Sequence, residues 1–133
     1  MRAASRKLQG ILRLLHLTMP TVFIIGEDWK LRGAVRAELL EQGIEAHGFA
    51  SLGDAARHAE AGVAPDLVLL DASTANAGDP SGASLTRNAA LLAVVSRISD
   101  TPQLPPRAVL MRRPVRVSEI VLRVRQMLEG QAA

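Results

Sequence analysis

The sequence predicts an α/β fold, a doubly wound parallel sheet, and three observations carry that prediction. Its apolar runs are continuous instead of alternating, as in strands buried on both faces. Strand-like and helix-like segments take turns along the chain, which calls for βαβ crossovers and hence parallel strands. The chain has 133 residues, 48% apolar and 22% charged, which is enough for a single domain with a real core.

Each element has its own signal. Thr21 to Ile25 is a β-branched, apolar run that stops at Gly26-Glu27-Asp28, a buried strand. From Trp29 to Gln42, Leu31, Ala34, Val35 and Leu39 mark one helical face, and Gly43 supplies the stop. Ile44 to Phe49 fits a short strand. Ser51 with Asp54 three residues on resembles a capping box for a helix that runs to Ala61 and ends at Gly62. Pro65-Asp66 is a turn, and Leu67 to Leu70 a second buried strand ending at Asp71. Thr74 to Ser84, small and rich in Gly and Pro, reads as a loop.

The later part is less decided. Residues 89–96 suit either a strand or a helix face, because Leu91 to Val95 is continuous while Leu85, Ala89, Leu92 and Val95 keep helical spacing. Pro102, Pro105 and Pro106 forbid a regular helix between Ser99 and Arg107. Ala108 to Met111 is a last strand. Ser118 to Glu129 is a closing helix with Ile120, Val121, Val124 and Leu128 facing in. The expected architecture therefore has a shortened third helix and a fourth helix that is degenerate or missing.

Charge divides the chain into parts. Of 16 basic residues, Arg2, Arg6, Lys7 and Arg13 fall within the first 19, where no acid occurs; the other 12 face 13 acids. Residues 1–19 read as a basic extension, disordered or upstream of a true start at Met19. Its spacing also suits an amphipathic helix, and its composition a transit peptide. Residues 20–130 form the domain, and 131–133 a tail. The near-neutral body and the scarcity of aromatic residues (Trp29, Phe23 and Phe49 alone) argue against nucleic acid as a partner. No apolar run is long enough to span a membrane, and the absence of cysteine suits a cytoplasmic protein.

In an open parallel sheet, ligands bind beyond the carboxyl ends of the strands. Two strands end in acids there: Glu27 and Asp28 after the first, Asp71 after the third. If the strand order reverses after the first strand, these acids converge. Clustered carboxylates repel unless a cation or shared proton relieves them, and oxygen ligands of this kind suit Mg²⁺. The histidines His16, His47 and His58 lie scattered on three elements and read as surface residues. Arg107, Arg112, Arg113, Arg116, Arg123 and Arg125 form a basic patch opposed only by Glu119 and Glu129.

At these residues the chain resembles the receiver domains of bacterial two-component response regulators. Thr21-Val-Phe-Ile-Ile-Gly-Glu-Asp28 with Leu31-Arg32 is similar to the family's first strand, acidic turn and first helix. Ala64-Pro-Asp-Leu-Val-Leu-Leu-Asp71 is similar to its third strand, with the phosphoacceptor aspartate last. Ser96 resembles the switch Ser/Thr after the fourth strand, and Met111-Arg-Arg-Pro114 the final Lys-Pro step, with Arg113 in the lysine position. The resemblance implies phosphorylation at Asp71, Mg²⁺ on Glu27, Asp28, Asp71 and the backbone of Ser73, and phosphoryl sensing by Ser96 and Arg113. It also implies docking of a protein partner through Arg112, Arg116 and Arg123, with a histidine kinase or phosphotransfer protein upstream.

The departures are specific. Aligned on Leu31-Arg32, the first of the family's paired acids falls on Gly26, and a planar guanidinium replaces a compact ammonium at Arg113. These losses point to a pseudo-receiver, a stand-alone signalling module and not an enzyme, acting on a protein effector. The rival reading is a small Mg²⁺-dependent phosphoryl-transfer or hydrolytic enzyme. Such enzymes commonly carry a second aspartate two positions after the nucleophile, where this chain has Ser73.

Overall fold

The computed structural model describes residues 19–96 and 104–132. Five strands, β1 (Thr21–Ile25), β2 (Glu45–Phe49), β3 (Leu67–Asp71), β4 (Ala90–Val95) and β5 (Val109–Arg112), form one sheet in the order β2-β1-β3-β4-β5. Every pairing is parallel. The order reverses after β1, as expected, so the ends of β1 and β3 lie side by side. The helices are α1 (Trp29–Glu41), α2 (Leu52–Glu60), α3 (Ala83–Asn88) and α4 (Val117–Ala132).

Strand alternation sorts the core into two layers. Val22, Ile24, Leu67, Leu69, Leu92 and Val94 face Val35 and Leu39 of α1 and Ile120, Val121 and Val124 of α4. On the other side Phe23, Ile25, Val68, Leu70 and Leu91 meet Leu52, Ala55 and Ala56 of α2 and Leu85 of α3. Both layers are buried, so the central strands had to be apolar at nearly every position. Ala34, expected on the inner face of α1, is exposed, because Val35 and Leu39 already span the contact.

Local chemistry explains the element boundaries. Asp28 caps α1 by accepting the Leu31 N–H at 3.2 Å, and Ser51 caps α2 by accepting that of Asp54. Gly43 ends α1 at φ +77°. Residues 90–95 are strand, which resolves the ambiguity there: pairing with β3 and β5 on both sides satisfies their backbone. The loop read over Thr74 to Ser84 ends earlier. A 3₁₀ turn at Pro80–Gly82, capped by Asp79, leads into α3, so Ala83 and Ser84 are helical.

The third helix is indeed short, at six residues. Residues 97–103, where the fourth helix was expected to fail, lie outside the described residues, and 104–108 contain no helix. The basic extension over residues 1–18 and the last residue of the tail likewise lie outside them. At β5 the inward Val109 and Met111 pack on the α1–α4 layer, while Leu110 on the opposite face is 48% exposed. Among the described residues, β5 is thus covered on one face only. No helix among them is long and apolar enough to cross a membrane.

Candidate functional site at the carboxyl edge of the sheet

Asp71 closes β3 and is buried, at 6% exposure, the one buried acid among the described residues. Both of its oxygens are engaged. Oδ1 accepts the Ser73 hydroxyl at 2.6 Å and the Ser73 N–H at 3.2 Å, a turn in which the carboxylate bonds its own backbone two residues on. Oδ2 accepts Nη2 of Arg113 at 2.8 Å. The same nitrogen lies 3.8 Å from Oδ2 of Asp28.

Parallel pairing brings Arg113 there. Val94 sits beside Asp71 on one side and Met111 on the other, and the Arg113 N–H continues the ladder onto the Val95 carbonyl at 2.8 Å. Arg113 therefore emerges two residues beyond the level of Asp71, one strand away from β4, and its long side chain reaches back across. The Arg113–Pro114 peptide is cis.

The site is closed by contacts that sequence reasoning did not single out. Gly26 lies so near Asp71 that a Cβ on it would stand 2.7 Å from the Asp71 Cβ and 3.1 Å from the Thr74 hydroxyl. The Thr74 Oγ1 accepts the Glu27 N–H at 3.0 Å, joining the turn after β1 to the turn after β3. Arg32 donates through Nη1 to the Gly26 carbonyl. Nothing local in the sequence marks Gly26 or Thr74, because their partners lie more than 40 residues away.

The expected cluster of three acids narrows to two. Asp28 and Asp71 line a common cavity of about 10 Å³, whereas Glu27 is exposed and does not line it. Ser73 presents its N–H and hydroxyl to Asp71. Ser96 follows β4 at the same edge and is half-buried. Arg112, Arg116 and Arg123 are exposed, at the end of β5, just before α4 and on its outer side.

These residues do not fit a resident Mg²⁺. A guanidinium already occupies one Asp71 oxygen, and the position of a further acid is a glycine packed against Asp71. Among the described residues, no group of three or more His, Cys, Asp or Glu side chains is arranged to hold a metal ion.

The histidines need a correction. His47 on β2 and His58 on α2 are not scattered: their rings lie 5.1 Å apart, both half-buried, in a cluster with Phe23 and Phe49. His47 Nε2 meets Glu45 Oε1 at 3.1 Å. Hydrogen bonds from the Thr21 hydroxyl and from His47 hold the Glu45 carboxyl below its usual 4.5.

No family model matches the chain, and no curated protein does. Solved structures do. A response regulator receiver protein from Sinorhizobium medicae superposes with a TM-score of 0.68 at 16% identity, over 85% of this chain and 97% of that one. A receiver domain protein from Methanospirillum hungatei gives 0.66 at 16% identity, over 86% and 97%. The receiver domain of the Francisella response regulator 1452 gives 0.64 at 15% identity, over 84% and 98%. The fold is that of a receiver domain. Near-complete coverage of these receiver domains shows that the short α3 modifies the fold without breaking it.

Proposed function

We propose that this chain is a receiver-type signalling module that acts through protein–protein contact and whose acidic site is neutralised by Arg113 instead of a metal ion. The observation that carries this reading is the pair Asp71–Arg113 at 2.8 Å, with the other Asp71 oxygen taken by Ser73. A buried carboxylate requires a counter-charge, and here a side chain of the same polypeptide supplies one. Gly26 supports the same reading, because an acid there would collide with Asp71.

The module in this reading works as a pseudo-receiver. Asp71 holds the ends of β3 and β5 together, and Ser96 and Arg113 belong to that edge. The partner-facing surface is β5 with the start of α4, where Arg112, Arg116 and Arg123 are exposed and Leu110 adds an apolar contact. Charged rims of this kind steer and orient a protein partner carrying acidic groups. A histidine kinase, a phosphotransfer protein or a downstream effector are the partner classes that fit a module of this fold. Ser73, whose hydroxyl is spent on Asp71, speaks against the hydrolytic reading, since that position supplies no second carboxylate.

The test uses acetyl phosphate, or beryllofluoride, with Mg²⁺. Intact-mass measurement should find no phosphoryl adduct on Asp71, and Trp29 fluorescence should not respond to beryllofluoride with Mg²⁺. An adduct lost in Asp71→Asn would overturn the pseudo-receiver reading and restore phosphorylation. Turnover of a generic phosphate ester would overturn the signalling reading.

A further inference from the structure

A second cavity, of about 420 Å³, opens beside β2 on the side of α1 and α2. It is lined by Trp29, Arg32, Arg36, His47, Phe49 and His58, with Gly33 and Gly48 between them. No acid lines it. The chain has three aromatic residues. Two of them line this groove, and the third, Phe23, lies under it with ring centroids 4.9 Å from Phe49 and 5.9 Å from His47.

Several features are costly unless something uses them. Trp29 is 67% exposed, a large ring left largely in water with Lys30 Nζ 5.8 Å from its centroid. Nε2 of His58 is buried and has no hydrogen-bond partner. Gly33 sits inside α1, where glycine weakens a helix, and a Cβ there would meet nothing within 4 Å. Packing therefore does not demand that glycine, and its missing side chain keeps the groove open. Gly48 has the opposite reason: a Cβ would stand 3.0 Å from the Arg32 side chain, so the glycine lets Arg32 lie across β2. Both arginines are held in place, Arg32 by the Gly26 carbonyl and Arg36 by that of Ala46 at 2.9 Å. Each guanidinium has five N–H donors, so these contacts position the groups without exhausting them.

We propose that this groove binds a nucleoside phosphate, with the base on Trp29 and the phosphate on Arg32 and Arg36. Paired guanidiniums suit phosphate oxygens, and an exposed indole suits a planar base. The volume lies within the range of small-molecule sites. The inference does not rest on the proposed function, since it uses neither Asp71 nor Arg113.

Trp29 is the single tryptophan, so the groove carries its own reporter. The full chain is titrated with AMP and ATP, and separately with adenosine, inorganic phosphate and a glutamate-rich peptide, following Trp29 fluorescence. Saturable quenching by a nucleotide is expected, with adenosine and phosphate each weaker by about tenfold or more. Arg36→Gln should weaken the nucleotide about tenfold while circular dichroism stays unchanged. Gly33→Ala, which keeps the helix, should weaken it as well. No saturable response up to about 10 mM nucleotide would overturn the proposal. So would adenosine binding as tightly as AMP, and tighter binding of the peptide would make the groove a protein-docking site instead.

Discussion

Two cavities share Arg32, and they are built on opposite principles. The one at Asp71 is about 10 Å³, mostly apolar with Asp28 and Asp71 at its edge, and the charge of Asp71 is answered from within by Arg113. The one at Trp29 is about 420 Å³, lined by basic and aromatic groups, with no acid among its lining residues and Glu45 reaching only His47 from the rim. A charge satisfied internally stabilises the fold and leaves little to offer a ligand. A charge left open does the reverse. The position where related folds are read first is thus the filled one here, and the open one lies a helix away.

The sharpest way to break this contrast is to remove the internal counter-charge. Arg113→Ala leaves Asp71 buried and unpaired, and should destabilise the protein by about 2 kcal/mol, read by urea denaturation. That is below the 3–5 kcal/mol of a fully buried pair because Arg113 is still 31% exposed. Adding Asp71→Asn should recover part of the loss, a non-additivity that shows the two act as a pair.

The same substitution at two glycines sharpens it further. Gly26→Ala forces a Cβ to 2.7 Å from Asp71 and should destabilise by about 1–3 kcal/mol. Gly33→Ala adds a Cβ into open space within a helix and should stabilise by up to about 1 kcal/mol. Thermal unfolding of both variants checks the opposite signs.

The smallest expected effect concerns the rim of the open side. Glu45 is held below its usual 4.5 chiefly by the Thr21 hydroxyl, so it contributes stability above that pH, lost as pH falls through the lowered folded value. Thr21→Val should therefore destabilise slightly at neutral pH and by less at an acid pH below the lowered folded value, where the carboxylate is protonated. Denaturation at the two pH values tests the difference.

What the sequence made legible follows from how far apart the interacting residues lie. β1 and β3 were plain because burial on two faces makes every residue apolar, and Asp71 was plain because it ends such a run. Asp28 was legible as an acid at a strand end, but its carboxylate also caps α1, a role that needs no cation. The strand at 90–95 was ambiguous because only its neighbours decide between strand and helix. Gly26 read as an acid lost, whereas its contact with Asp71 makes it a fitted position. The groove was invisible for the same reason: Trp29, His47, Phe49 and His58 come from three elements, and no local pattern announces that β2 and α2 bring two imidazoles together.

The central claim is that Arg113, and not a metal ion, neutralises Asp71. Thermal unfolding of the wild-type chain against Mg²⁺ tests it most directly, because a ligand that binds the folded state raises Tm by mass action, with about 2.7 kcal/mol at a hundredfold excess over Kd. The account predicts no saturable rise in Tm up to about 10 mM Mg²⁺. A saturable rise that disappears in Asp71→Asn would contradict it.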